Sequence, residues 1–464
     1  MRQKDALEIL GTGASAFLTG APGAGKTYVL NGFVALMRER GAHVAVTAST
    51  GIAATHVDGR TIHSWSGIGV ATTLTDSLMR TIRSRRRRRI QEADVLVIDE
   101  VSMMPAWLFD MVERVCRVIR HSPDPFGGLQ VVLSGDFFQL PPVSRPGRGL
   151  APEGTPDDPL RERYREEGRD PDGFVTESFA WDDLSPQVCY LTEQHRQDDS
   201  RLLGVLEDVR RGEVDDADRE VLAGRVGLEP EEGLAAVHLF PVNRQADDLN
   251  GRRLAAIDSP ARIFTATSAG PADLVRQLTR SMLAPQLLAL KTGAAVMALR
   301  NDPEGQFVNG SVGTVTGFAR ESAGGWPVVA FDNGHVATMK PADWAMMDGE
   351  TTLASVSQVP LRCAWAITIH KSQGMTLDRA VMDLRRTFAP GMGYVALSRV
   401  EGLDGLFLEG IAESAFLVSP RAVELDDDLR GSSHEAEALL AASGPEAFVR
   451  RERTDDEFSQ GGLF

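Results

Sequence analysis

The stretch "GAPGAGKT", Gly20 to Thr27, has residue types and a spacing suited to gripping a phosphate. It fits G-x-x-x-x-G-K-[ST]. Gly20, Gly23 and Gly25, with Ala24 between the last two, let the backbone turn successive N–H groups toward one anion. A helix starting at the lysine would add its partial positive charge. Lys26 is long enough to reach the β- and γ-phosphates of a nucleoside triphosphate, and the Thr27 hydroxyl can join the shell of Mg²⁺. About seventy residues on, "VLVIDE" ends an apolar run in two acids. Asp99 can hold the same magnesium shell, and Glu100 can polarise a water for in-line attack on the γ-phosphate. The chemistry expected of this set is hydrolysis of ATP with Mg²⁺ as cofactor.

A third stretch, "LSGDFFQLPP" (133–142), leaves a strand through a small-residue turn and delivers one uncharged amide, Gln139, ahead of two prolines. Placed beside the other two stretches, Gln139 would face the γ-phosphate. An amide can donate to a phosphate oxygen or orient water, and it loses that partner when phosphate leaves. The prolines limit slack in the loop.

Such side chains need strands that end in one place. From Ala16 to Asp136 the pattern repeats short apolar strand, loop and helix: "AFLTG", "HVAVTAS", "DVLVIDE" and "LQVVLSGD" are β-rich runs of the kind buried on both faces of a parallel sheet. "TYVLNGFVALMRER" has apolar residues at helical spacing and stops at Gly41. This is a doubly wound α/β core, which binds ligands beyond the carboxyl ends of its strands. Residues 1–187 are expected to form it, with a small insertion around 60–75 and a surface excursion over 145–175. A second α/β core is expected over 188–289 and 358–424. It is interrupted at 290–357 by period-two runs and an Asp332-Asn333-Gly334 hairpin turn, read as an inserted β-barrel. Residues 425–464 turn acidic and are expected to be a flexible tail.

Bulk properties narrow the partners. A length of 464 residues allows two or three cores. A formal charge of −16 argues against coating nucleic acid by bulk electrostatics but leaves room for a local basic groove. No apolar run reaches the ~18 residues of a membrane span, and the N-terminus has no signal-peptide core, so a cytoplasmic, nucleoid-associated location is expected. The cysteines Cys116, Cys189 and Cys363 are far apart and lack ligand spacing.

Read together and in this order, "GAPGAGKT", "TASTGIAATHVDGRTIHSWSGIG", "VLVIDEVSMM", "LSGDFFQLPPV", "LTEQHRQ", "AITIHKSQGMTLDRAV" and "YVALSRV" resemble the Pif family of superfamily-1 DNA helicases and its RecD-like relatives. The likeness runs from Gln3 to about residue 420. It implies two RecA-like motor domains clasping one ATP, with a Src-homology-3-like barrel inserted in the second. It also implies 5′→3′ travel on single-stranded DNA and unwinding of duplex junctions, in replication, repair or recombination. Gln3 falls where such helicases carry an adenine-reading glutamine, and Gly374 belongs to the nucleotide site. Arg196 and Arg399 resemble arginine fingers, a task suited to a group that stays charged and binds phosphate bidentately.

For the DNA track the resemblance implies Thr50, Gly51, His63 and Trp65 from the first core, and Thr368, His370, Lys371 and Ser372 from the second. Thr50 and Gly51 are donors suited to phosphate rather than base edges. Trp65 is either a stacking platform, worth ~1–3 kcal/mol per base, or a core residue. The run "SRRRRR" (Ser84 to Arg89) is either a solvated face or a strand-binding patch. Both pairs of readings stay open from sequence. A translocase without efficient unwinding, or a nucleotide-gated scaffold, would carry the same motifs. Finally "SQGGLF" resembles the peptide by which bacterial proteins dock on the sliding clamp, with Gln460, Leu463 and Phe464 as its anchors.

Overall fold

The computed structural model describes residues 1–57, 59–69, 71–142, 159–193, 199–231, 236–282, 284–302, 304–307, 309, 311–348 and 351–449. The short apolar runs of the first lobe become β1 (Ala16–Gly20), β2 (Val44–Ala48), β3 (Arg60–Thr61), β4 (Val95–Asp99), β5 (Gln130–Ser134) and β6 (Gln187–Leu191). They form one sheet in the order β3-β2-β4-β5-β1-β6, every pairing parallel. Because β4, β5 and β1 are neighbours, the loops after Gly20, Asp99 and Ser134 open on one edge. That adjacency brings the three sequence stretches together.

The strand Gln187–Leu191, expected to open the second core, instead pairs with β1 and closes the first sheet. Its outer side is covered by a C-terminal helix, Pro420–Ser443, which corrects the expectation of a flexible tail from residue 425. Ala422, Leu429, Ser433 and Ala436 are buried along that helix, and the Tyr190 N–H donates to Ser433 Oγ at 3.0 Å. Within the expected surface excursion, Tyr164 and Phe174 are core residues.

The second lobe starts with β7 (Val237–Phe240) and is then interrupted. The inserted strands are β8 (Arg262–Thr265), β9 (Thr267–Ala269), β10 (Leu287–Leu290), β11 (Ala295–Ala298), β12 (Val312–Phe318), β13 (Pro327–Phe331), β14 (Val336–Thr338), β15 (Ala342–Asp348), β16 (Thr351–Gln358) and β17 (Leu361–Cys363). Five of them make an antiparallel sheet, β14-β13-β12-β11-β17, with Asp332-Asn333-Gly334 turning β13 into β14. Val296, Val315, Val329 and Phe331 form its separate core. The inserted β region therefore begins before residue 290, and the β15–β16 hairpin leaves the barrel to pair with β9. The motor fold resumes with β18 (Ala366–Thr368), β19 (Ala380–Leu384) and β20 (Leu406–Ile411), giving a parallel sheet β18-β7-β19-β20. One contiguous apolar cluster runs from Phe17 and Ile98 in the first sheet to Met382 and Leu408 in the second. Among the described residues no helix is long and apolar enough to cross a membrane.

Candidate active site and nucleic-acid interface

The loop after β1 feeds the helix Lys26–Glu39. Gly25 caps that helix at φ +85°, in the left-handed region, and a Cβ there would overlap the Gln3 amide. Gln3 itself donates from Nε2 to the Ala24 carbonyl at 3.1 Å, so the residue expected to read adenine leans on the phosphate loop. Lys26 Nζ sits over the loop, donating to Gly20 O (2.8 Å) and Ala21 O (3.2 Å). Thr27 is exposed at the helix start.

Asp99 and Glu100 follow β4. Burial pushes the Asp99 carboxyl above its usual range, opposed by a hydrogen bond with Ser134. Glu100 has a left-handed backbone, φ +53°, which swings it off the strand line. Burial and then the adjacent Asp99 push its carboxyl up to about 7, while Lys26 and Arg399 pull the other way. Two recessed acids side by side are electrostatically costly without a cation.

Gln139 is buried, and its Nε2 lies 3.5 Å from Asp136 Oδ2. Phe137 packs on Phe17 and Phe174, with ring centroids at 5.1 and 4.8 Å, which anchors the loop. From the second lobe comes a residue that sequence reasoning passed over. Gln373 follows the short helix Ile369–Ser372 and donates from Nε2 to Glu100 Oε2 (3.0 Å) and to Gln139 Oε1 (3.1 Å). It lies between Lys371 and the expected Gly374, but an amide in a loop carries no signal of its own. Gly374 is exposed, with φ +78°.

Arg399 is fully buried. It donates to Val395 O (2.7 Å), Met375 O (3.0 Å), Ser372 O (3.3 Å) and Ser398 Oγ (2.7 Å), and its charge is felt at Glu100. Arg196 lies outside the described residues, as do Gln460, Leu463 and Phe464.

The expected DNA residues divide. Gly51 and His63 line a groove of about 540 Å³ between the first lobe and the inserted β region. Arg60, Arg85 and Arg86 line it too, and Arg300 faces them from the far side, its guanidinium 5.1 Å from the Trp344 ring centre. Among the described residues no carboxylate lines this groove, although the chain is acidic overall. The arginine run thus splits: Arg85 and Arg86 face the groove, while Arg87 and Arg88 bond to Gln91 and Glu92 one helical turn on. Thr50 Oγ1 accepts from Ala53 N at 3.2 Å and so starts the short helix Gly51–His56.

Trp65 is 3% exposed and packs in the main core, which corrects its reading as a stacking platform. Thr368 and Ser372 are likewise buried, Ser372 Oγ donating to Ile369 O at 2.8 Å, so neither side chain faces a strand. His370 and Lys371 are half-buried. Burial holds the imidazoles of His63 and His370 below their usual pKa, making them neutral hydrogen-bonding groups. His370 stacks at 6.3 Å on Phe388, an exposed ring that sequence reasoning did not single out.

Two parallel sheets meeting over a phosphate loop, with a second-lobe amide bonded to first-lobe acid and amide, define a two-lobed P-loop motor ATPase. Residues 4–151 match the family model described as "PIF1-like helicase", and residues 273–318 match "DNA helicase Pif1, 2B domain". The ATP-dependent DNA helicase Pif1 of Psychrobacter sp. is 36% identical, over 94% of this chain and 72% of the relative. Among solved structures, Candida albicans Pif1 superposes with a TM-score of 0.78 at 31% identity, covering 92% of this chain and 98% of that one. A Bacteroides Pif1 solved with ADP-AlF4 gives 0.74 at 26% identity, covering 92% and 96%. Solved bound to ssDNA, Bacteroides Pif1 gives 0.66 at 27% identity, covering 93% and 97%. The chain belongs to the Pif1-like helicase family and is an ATP-dependent DNA helicase.

Proposed function

We propose that this chain turns ATP hydrolysis into 5′→3′ travel along single-stranded DNA and splits forked duplex ahead of it. The observation that carries the two-lobed motor is Gln373, a second-lobe side chain bonded at once to Glu100 and Gln139 of the first lobe; the direction of travel rests on the family resemblance alone. A contact of this kind lets both lobes respond to the terminal phosphoryl group of one nucleotide.

Gly20, Gly23, Ala24 and Gly25 wrap the phosphates in backbone N–H groups, and Lys26 exchanges its loop carbonyls for phosphate oxygens. The recessed pair Asp99 and Glu100, pushed toward protonation by burial, fits a divalent cation beside it. Thr27 and Asp99 would hold Mg²⁺, which supplies charge neutralisation on the β- and γ-phosphates. Among the described residues no cluster of three or more protein ligands competes for that role, in keeping with an ion held partly by phosphate and water. Glu100 orients the attacking water, Gln139 contacts the γ-phosphate, and Arg399 offers its guanidinium from a position fixed by its own lobe. Arg196 is assigned the second finger on its motif alone.

The strand runs through the arginine-lined groove over Gly51 and His63 and on to His370 and Lys371. Its contacts are mostly to phosphate, so sequence preference is weak and salt dependence strong. Ordered closing and opening of the lobes then alternates the two grips.

The deciding experiment compares unwinding of 5′-tailed and 3′-tailed duplexes by the wild type and by Glu100→Gln. Unwinding confined to the 5′-tailed duplex and lost in the variant supports the proposal. Unwinding of the 3′-tailed duplex, or an active Glu100→Gln variant, overturns it. Single-stranded DNA stimulating hydrolysis with no strand separation on either substrate would leave a translocase.

A further inference from the structure

Behind the nucleotide cleft lies a second, buried link between the lobes that hydrolysis chemistry does not itself require. Its centre is Arg210, 4% exposed, in the last turn of the helix Ser200–Arg211. Arg210 Nη1 donates to Asp136 (3.0 Å) and to Tyr394 Oη (2.9 Å), and Nη2 donates to Tyr190 Oη (2.9 Å). The guanidinium also covers the Phe138 ring at 4.2 Å. Tyr190 Oη donates to Asp426 Oδ1 at 2.8 Å. Asp426, on the C-terminal helix, sits 3.6 Å from Arg210 and is held in turn by Arg430 at 2.6 Å. One side chain therefore joins the loop after β5, the strand β6, the second-lobe helix Met392–Leu397 and the C-terminal helix.

The connection to catalysis is direct. Asp136 carries Gln139 on its own turn: Asp136 Oδ1 accepts from Phe138 N (3.2 Å), and Asp136 O accepts from Gln139 N (3.0 Å). On the other side, Tyr394 precedes Val395, whose carbonyl accepts from Arg399 Nε at 2.7 Å. The cap of that helix, Gly391 at φ +76°, presses against the same loop, and a Cβ there would overlap the carbonyl oxygens of Phe138 and Gln139. Asp136, Arg210 and Tyr394 thus form an unbroken line of contacts from the Gln139 turn to the helix whose Val395 carbonyl holds Arg399.

We propose that Arg210 is a positioning residue that transmits the state of the Gln139 loop to the second lobe, with the C-terminal helix as its brace. The inference rests on the reading of Gln139 and Arg399 given above. Lysine cannot replace it: one ammonium lacks the planar fork that donates to three oxygens on three elements. A role in stability alone is a poor account of the arrangement, because buried ion pairs seldom outperform apolar packing.

The test uses the full chain with Arg210→Lys, and Tyr394→Phe as a milder variant that keeps the ring. Three quantities are read: thermal unfolding, kcat and KM of ssDNA-stimulated ATP hydrolysis, and the ratio of ssDNA Kd values in ADP and in ADP–aluminium fluoride. Arg210→Lys is expected to lower stimulated kcat tenfold or more, with KM for ATP within threefold. Its Kd ratio should collapse to within twofold of one. Tyr394→Phe should shift both in the same direction by a smaller factor. A folded Arg210→Lys protein with wild-type kcat and Kd ratio overturns the proposal, as does a loss that only tracks the folded fraction. If Arg210→Lys does not fold, wild-type coupling in both Tyr394→Phe and Asp426→Asn overturns it equally. Absence of ssDNA-stimulated hydrolysis in the wild type would instead sink the underlying motor reading.

Discussion

Replacing Gln373 by methionine should disable hydrolysis while sparing nucleotide binding. The amide donates at 3.0 Å to Glu100 and at 3.1 Å to Gln139 and is 6% exposed, so little water is at hand to replace it. A hydrogen bond to an ionised carboxylate contributes about 1.5–3 kcal/mol and one to a neutral amide about 0.5–1.5 kcal/mol. If the two bonds count in the transition state and not in the ATP-bound ground state, their loss raises the barrier by about 2–4.5 kcal/mol, which is roughly 30- to 2000-fold in kcat. Methionine keeps length and most of the volume, so packing changes little. KM for ATP should stay within threefold, since Lys26 and the loop are untouched. The assay is steady-state, ssDNA-stimulated ATP hydrolysis across an ATP titration, with thermal unfolding run alongside. Gln373→Glu should be worse, because a carboxylate then faces Glu100, which already has Asp99 beside it. A Gln373→Met enzyme whose kcat lies within threefold of wild type, or whose loss appears in KM instead, would refute the claim that this amide ties the lobes together for catalysis.

Gly391→Ala forces a left-handed alanine, about 1–2 kcal/mol, and overlaps two backbone carbonyls, about 1–3 kcal/mol more. Stimulated ATPase should fall at least tenfold with a lowered melting temperature, measured by hydrolysis and calorimetry. Trp65→Ala should cost about 3–5 kcal/mol of stability as a core truncation, seen in denaturant melts. The ssDNA affinity of the folded fraction should not change. Arg60→Ala and Arg85→Ala each remove a groove cation. Each should reduce the slope of log K against log salt by about 0.7 for single strands, uniformly across sequences, in anisotropy titrations.

How much of this was legible depended on whether the information was local. The strands β1, β4 and β5, the phosphate loop and the Asp99-Glu100 pair were readable because apolar runs end in residues whose types announce their chemistry. "QVCYL" was readable as a strand, but an apolar run does not encode which sheet it joins, and β6 went to the first. The C-terminal helix was hidden by its acids. Ala422, Leu429, Ser433, Ala436 and Leu440 recur at intervals of seven, four, three and four, a narrow helical stripe that packs on the first lobe. Trp65 could not be settled because exposure depends on neighbours such as Ile82 and Ile90, which share its core.

The residues that escaped notice do coupling rather than chemistry, and this explains why they escaped. Gln373 meets Glu100 and Gln139 across 273 and 234 positions of chain, so no local spacing can reveal the bridge. Arg210 stands in a helical last turn beside Arg211, where basic residues ordinarily complement the helix dipole. Only the fold shows that one of the two is turned inward onto Asp136 while Arg211 stays exposed. Taking a guanidinium and two carboxylates out of water costs several kcal/mol per ion before any pairing is counted. An enzyme whose lobes needed only to stick together could use the apolar cluster that already spans them. Apolar contacts, being non-directional, tolerate sliding. A fork of hydrogen bonds does not, and a motor that must sense one phosphoryl group from two lobes needs contacts that break or hold as a unit.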